Sequence, residues 1–266
     1  MGRPRSRPRL GQHFLHDKQI LARIAAAVDP RPDDIVLEIG PGKGDLTRAL
    51  MGRGARIIAI EKDRTLAAGL RDAGVEVVEG DALEVDWHSS LNVDRSTSTM
   101  RFKVCGNIPY YITSPLIDKA LTPPLPERIV FLVQAEVADR LVAPPGSKVY
   151  GGLSVGVQAV ARVERLFRVP AGAFRPPPRV ASALIRLTPL AEPAITPEEV
   201  PAFRRFVTAS FSQRRKQLRN VVAHAAAIDV GAAAAGLAGL GLDPTTRPEQ
   251  LGVGEFVRLL RWAARL

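Results

Sequence analysis

The sequence predicts an α/β protein, with a parallel sheet covered by helices on both faces and a small all-helical domain after it. Two observations lead there. Short apolar runs alternate with helical segments through most of the chain, and the C-terminal part carries apolar residues at helical spacing.

Residues 1–10 read as a basic, proline-interrupted, flexible tail. Asp17 to Val28 has helical periodicity. Ile35 to Ile39 is a buried strand, and Leu46 to Met51 lies in a helix. Arg56 to Ile60 is a second strand, followed by a helix from about Thr65 to Arg71. Val75 to Val78, Phe102 to Cys105 and Ile129 to Val133 are further strands. Continuous apolar strands of this kind suit a parallel sheet buried on both sides. HSSLNVDRSTSTM is polar and reads as a surface loop. Gln134 to Val142 and Leu153 to Ala161 look helical, with the Gly/Pro-rich APPGSKVYGG between them, a loop of the kind that can cover a site. Ala183 to Leu187 is one more strand. TPLAEPAITPEE shifts composition and reads as a linker. Beyond it, Phe203, Phe206, Val207 and Phe211, and later Phe256, Leu259, Leu260 and Ala263, recur at helical spacing. The expected organisation is a tail over 1–10, a sheet domain over 11–192 and a helical domain over 193–266.

The 266 residues are 46% hydrophobic and 24% charged, the balance of a globular protein with a sizeable core. The net charge of +10 points to a polyanionic partner. The longest weakly apolar stretch, Val230 to Leu242, is shorter than the roughly 20 residues of a membrane span. The N-terminal stretch is basic without an apolar signal-like run, so a nucleic acid is expected before a membrane. An aromatic content of 5% argues against a sheet that stacks many bases. Cys105 is the single cysteine, so no internal disulfide forms, and a reducing cytoplasm fits. The four histidines give no zinc spacing, and no metal is expected.

IVLEIGPGKGDL is the most informative early segment. A strand ends at Glu38, and Gly40, Gly42 and Gly44 open a helix. Glycines let the backbone turn tightly and approach a ligand closely. Glu61 ends the next strand, where a carboxylate accepts from ribose hydroxyls in a doubly wound sheet. Asp81 follows the third strand. The NAD fingerprint needs a glycine at position 45, which is Asp45, and no hydride-transfer site is evident. E-x-G-x-G-x-G instead looks like the first motif of S-adenosylmethionine methyltransferases. Carboxylates at strand ends suit a cofactor carrying a sulfonium and an ammonium.

GNIPYYITSPL, at the end of the fourth strand, fits the same chemistry. An exocyclic amine on a nucleobase is a poor nucleophile because its lone pair is delocalised into the ring. Two fixed acceptors against its hydrogens favour a pyramidal nitrogen in the transition state. The Asn107 side-chain carbonyl and a backbone carbonyl at Ile108 or Pro109 are candidates. Pro109 stiffens the turn, and Tyr110 can stack on a base that has left its own stack. Tyr111 is given no role of its own.

With these residues in view, the chain resembles the KsgA-type ribosomal RNA adenine N6,N6-dimethyltransferases, relatives of the Erm methylases. GQHFLHD, EIGPGKGDLT, IEKD, GDAL, GNIPYYITSPL, QAEVADRL, FRPPPRVASALIRL and FSQRRKQLRN carry the resemblance over residues 11–220. It implies a Rossmann-like domain that binds S-adenosylmethionine and a small C-terminal helical domain. It implies methyl transfer to two adjacent adenosines near the 3′ end of small-subunit (16S) ribosomal RNA. The implied partner is the immature small subunit, met by a monomer in the cytoplasm. By position, His13 and Leu15 would touch the cofactor, with Gly40 along its methionine part, Glu61 at the ribose and Asp81 at the adenine end. Asn107 would face both donor and acceptor. Phe174 would stack on the flipped adenine opposite Tyr110. The family often has Asn where this chain has His13. PPGSKVYGGLS and FRPPPRV favour the small-subunit branch over an Erm-like enzyme of large-subunit RNA; a non-catalytic RNA-binding assembly factor is the other alternative. Arg214, Arg215, Lys216 and Arg219, placed within about one and a half helical turns, would bind phosphates, with Arg175 and Arg179 near the target stem.

Overall fold

The computed structural model describes residues 12–32, 34–91 and 101–265. The 1–10 tail and residues 92–100 of the polar loop lie outside the described residues. The first strand, β1 (Phe14–Leu15), precedes α1 (Lys18–Val28). Strands and helices then alternate: β2 (Ile35–Ile39), α2 (Asp45–Met51), β3 (Arg56–Glu61), α3 (Arg64–Asp72), β4 (Glu76–Glu79), the short α4 (Trp87–Ser90), β5 (Phe102–Asn107), α5 (Thr113–Ala120) and β6 (Arg128–Gln134). After α6 (Ala135–Leu141) and α7 (Gly152–Gln158) come β7 (Ala161–Val169), β8 (Phe174–Arg175) and β9 (Ser182–Pro189). Helices α8 (Val200–Ser212), α9 (Leu218–Ala226), α10 (Val230–Gly239) and α11 (Val253–Ala263) complete the chain.

Local chemistry sets these boundaries. Asp17 caps α1 by accepting from the Gln19 and Ile20 amides, and Asp63 and Asp86 do the same for α3 and α4. All five residues of β2 are buried, as expected of a strand covered on both faces. Seven strands form one sheet in the order β4-β3-β2-β5-β6-β9-β7. β2 pairs in parallel with both β3 and β5, β3 with β4, and β5 with β6. The chain therefore winds outward from β2 in one direction and resumes at β5 in the other. That reversal opens a crevice at the C-terminal ends of β2 and β5. A separate two-stranded ribbon joins β1 to β8.

The chain divides into two compact units. The first runs to Ala120 and adds Pro124–Ala135 and Arg165–Arg186; the second takes Leu121–Pro123, Glu136–Glu164 and the chain from Leu187 onward. The expected boundary at 192/193 is corrected by this partition, because residues 136–164 pack with the C-terminal helices. Tyr150, Val155 and Ala159 share one apolar cluster with Phe203, Val222 and Phe256. The 143–152 loop is fastened inside that unit, with the Gly146 amide donating to Glu249 O (2.7 Å) and the Tyr150 hydroxyl to Leu251 O (2.9 Å). The segment read as a linker is also tied down. Leu190 N donates to Val160 O and Ala194 N to Ala159 O, and Ile195 is buried.

The helix expected over Leu153 to Ala161 stops at Gln158, and Ala161 begins a strand that the sequence hid. β7 lies at the sheet edge with Arg162, Arg165 and Arg168 exposed, so charges interrupt its apolar pattern. Among the described residues no single helix is long and apolar enough to cross a membrane, and no three His, Cys, Asp or Glu side chains gather to hold a metal ion.

β5 is anchored at its start by a buried cation. Lys103 is 1% exposed, and its Nζ donates to Asp34 Oδ2 at 2.7 Å and to Asp29 O. Burial pushes the Asp34 carboxyl up, but Lys103 and the Arg31 amide together hold it below its ordinary value. Lys103→Met leaves Asp34 without its partner and is expected to lower stability by about 3–5 kcal/mol, read by urea denaturation. Because the folded value is depressed, the wild-type advantage is complete above the unfolded carboxylate range and fades as pH falls through the folded value.

Candidate active site

A cavity with about 1130 Å³ of empty space, partly open to solvent, lies at the C-terminal strand ends. His13, Leu15, Gly40, Glu61, Asp81, Asn107, Pro109 and Tyr110 all line it. They arrive from five separate segments of the chain. Gly40 follows β2, Glu61 ends β3, Asp81 follows β4 and Asn107 ends β5, while β1 brings His13 and Leu15 from outside the main sheet.

Backbone geometry requires glycine at two of these turns. Gly42 has φ +59°, and a Cβ there would meet the Phe14 ring at 3.0 Å. A Cβ on Gly106 would lie 2.4 Å from Ile39 O, so β5 can close on the end of β2 only without a side chain.

The loop after β2 is held by a carboxylate. Glu61 is 4% exposed; its Oε2 accepts from Gly42 N (3.0 Å) and its Oε1 from Asp63 N (2.9 Å). Burial raises its pKa, and the two amides oppose that rise. Each oxygen keeps a lone pair that a ribose hydroxyl could use. Asp81 pairs with Lys62 Nζ at 2.7 Å and accepts from Leu83 N, and Lys62 holds its carboxyl below the usual range.

Glu38 opens the E-x-G-x-G-x-G motif but is not among the site residues expected from the sequence. It is 1% exposed and lines the cavity. Burial pushes its pKa up to about 7; the Thr47 hydroxyl opposes that rise, and the negative Glu61 adds to it. Neither Thr47 Oγ1 nor Glu38 Oε2 completes a hydrogen bond of good geometry. A buried, unpartnered carboxylate oxygen beside a glycine cradle suits a cationic ligand. The residues present therefore fit S-adenosylmethionine, whose ammonium and sulfonium would supply the missing positive charge.

The acceptor side is built on Asn107. Its Nδ2 donates to His13 O at 2.8 Å, and among the described residues no donor reaches its Oδ1. His13 is fixed in turn, with Nδ1 2.8 Å from Pro176 O and the following residues paired to β8. The Tyr110 hydroxyl lies 2.7 Å from Ser182 Oγ, and its half-buried ring stacks on His13, with centroids 6.2 Å apart and planes at 28°. Burial raises the Tyr110 pKa, so the phenol stays neutral.

Two expectations are corrected. Phe174 is 2% exposed and does not line the cavity. It faces Leu15 across the ribbon and packs with Ile20 and Leu184, while the two-residue period of the strand turns Arg175 outward. Its ring offers no face to a base in this structure. The basic cluster is not one helical face either. Arg214, Arg215 and Lys216 lie in the turn between α8 and α9, and only Arg219 is helical. Arg214 is committed within the second unit, donating to Glu249 Oε2 through Nε (2.9 Å) and to Lys148 O. Arg215 and Lys216 are exposed.

The raised pKa of Glu38 has a defined consequence. The unfolded carboxyl ionises near 4.5, whereas the folded one holds its proton to about 7. The native state should thus lose up to about 3 kcal/mol as pH rises from 4.5 to 7, with no further change above that. Glu38→Gln should abolish this slope and stabilise the free protein at pH 8, while S-adenosylmethionine affinity falls. Chemical denaturation across pH and calorimetric titration would measure the two effects.

The comparisons with known proteins agree with this geometry. The family model described as ribosomal RNA adenine dimethylase matches residues 3–264. The chain is 42% identical to the Pseudomonas aeruginosa protein named Ribosomal RNA small subunit methyltransferase A, over 98% of this chain and 96% of that one. Among solved structures, a dimethyladenosine transferase from Plasmodium falciparum superposes with a TM-score of 0.75 at 25% identity, covering 93% of this chain and 96% of that one. The 23S rRNA methyltransferase ErmE gives 0.69 at 28% identity, covering 94% and 99%. A match across nearly the whole chain, joined to a glycine cradle, strand-end carboxylates and the Asn-Ile-Pro-Tyr turn, identifies this chain as a member of the ribosomal RNA adenine dimethylase family.

Proposed function

We propose that this chain methylates N6 of two adjacent adenosines near the 3′ end of small-subunit (16S) ribosomal RNA, giving N6,N6-dimethyladenosine during small-subunit biogenesis. The observation that carries the reading is the orientation of Asn107. With Nδ2 spent on His13 O, its free Oδ1 is left as an acceptor at the cavity.

S-adenosylmethionine, when bound, supplies an electrophilic methyl group. Gly40, Glu61 and Asp81 would hold its parts, and His13 and Leu15, which line the same cavity, would touch it. Asn107 Oδ1 and a backbone carbonyl at Ile108 or Pro109 accept the two amine hydrogens, localising the nitrogen lone pair for attack. Pro109 stiffens the turn that aims these acceptors, and Tyr110 supports the extruded base. No strong base is needed, because attack through the lone pair leaves the methylated nitrogen as a cationic ammonium, which is acidic and sheds its proton to water. The chain acts as a monomer in the cytoplasm, away from membranes, with the immature small subunit as partner. The net charge of +10 supports a polyanionic partner, and Arg215, Lys216 and Arg219 are the candidate phosphate contacts in the second unit.

Labelled S-adenosylmethionine offered with small subunits lacking dimethyladenosine should yield N6,N6-dimethyladenosine by mass spectrometry. Label confined to naked large-subunit RNA would move the chain to the Erm-like activity, and RNA binding without label would make it an assembly factor. Asn107→Ala should cut turnover about 100- to 1000-fold, with the unfolding midpoint lowered by no more than a few degrees. Changing Arg215, Lys216 and Arg219 together to Gln should weaken RNA binding and flatten its salt dependence by about 2 to 3 units of slope. An unchanged slope would remove this turn from the interface.

A further inference from the structure

Six large apolar side chains of the described residues are exposed: Met51, Tyr111, Leu125, Val149, Val180 and Val230. Tyr111 is the only aromatic among them and the most exposed, at 69%. It also lines the cavity. Tyr110 to Ile112 form a 3₁₀ turn, in which successive side chains point about 120° apart. Tyr110 therefore turns inward to Ser182 and His13, and Tyr111 is left at the mouth. No hydrogen bond or ring contact holds the Tyr111 side chain among the described residues, so folding does not account for an aromatic here.

We propose that Tyr111 stacks on the nucleobase adjacent to the extruded adenosine. The inference rests on the function proposed above. Extruding one base breaks two stacking contacts, at a cost of a few kcal/mol. The base left behind exposes a face, and a free ring at the cavity mouth can cover it. Stacking tolerates any base, because each has a π-face. On a substrate with two adjacent target adenosines, one exposed ring stays on the same side of the pocket in both rounds, covering the other adenosine in one round and the flanking nucleotide in the other. The residue therefore acts on RNA affinity and not on methyl transfer itself.

The test compares wild type, Tyr111→Phe and Tyr111→Ala on small subunits lacking dimethyladenosine. Tyr111→Ala should raise KM for the subunit about 5- to 100-fold, the effect of removing one base–aromatic stack. Turnover at saturation, the unfolding midpoint and S-adenosylmethionine affinity should stay at wild-type values. Tyr111→Phe, which keeps the ring and loses the hydroxyl, should match wild type. An unchanged KM in Tyr111→Ala overturns the proposal. So does a matching loss in Tyr111→Phe, which would place the effect in the hydroxyl, and so does weakened S-adenosylmethionine binding in Tyr111→Ala, which would make the ring a cover for the cofactor. If wild type itself transfers no methyl group to the subunit, the proposed function fails first, and that result is distinguishable from the others.

Discussion

The hydrogen bond from Asn107 Nδ2 to His13 O organises the side of the cavity at the end of β5. It fixes which end of a planar amide faces the backbone and which end is left for a ligand. Without it the amide could rotate and present a donor where the proposed chemistry wants an acceptor. The bond exists only because β1 is held in place, and β1 is held by its ladder to β8. The strand end that carries Asn107 reaches position only because Gly106 lets it close on Ile39 O. A contact between two residues far apart in the chain thus depends on a two-residue ribbon and one missing side chain. In the proposed reaction this is preorganisation: the acceptor would be aimed before substrate arrives.

Electrostatics divides the molecule's tasks. The chain as a whole is strongly basic, yet the cavity gathers Glu38, Glu61 and Asp81. A cationic cofactor and a polyanionic RNA make opposite electrostatic demands, and the acidic cavity answers the first. Keeping Glu38 and Glu61 dehydrated together destabilises the free protein, and Glu38 relieves part of that strain by holding its proton near neutral pH. Stability is given up locally so that a positive ligand finds unmet negative charge.

Much of the fold was legible because its parallel strands are short, apolar and spaced by helices. Ile35–Ile39 and Phe102–Cys105 could be read directly, and so could the glycine loop and the Asn-Ile-Pro-Tyr turn. What failed was edge and tertiary information. β7 escaped because an edge strand carries arginines that break the apolar run. β1 and β8 escaped because two residues leave no periodicity. Phe174 was misplaced because sequence order cannot say which face of a short strand a ring will take, and its pairing with Leu15 decides that. The basic run reads as one helix because Gln213 to Gln217 contains neither Gly nor Pro to announce the turn that the structure shows. The worth of Glu38 lay in a buried oxygen left without a partner, which no local pattern records.

The partition of the chain bears on how the protein comes to be made. Neither unit is a single stretch of polypeptide. During synthesis the first strands emerge early, but their sheet stays incomplete until residues 165–186 leave the ribosome, after 136–164 have already appeared. Tyr150 and Val155 then wait for Phe203 and Phe256 before their apolar surface is covered. Interleaving of this kind couples the assembly of both units to late translation. It also means that no single cut in the gene would leave both units whole.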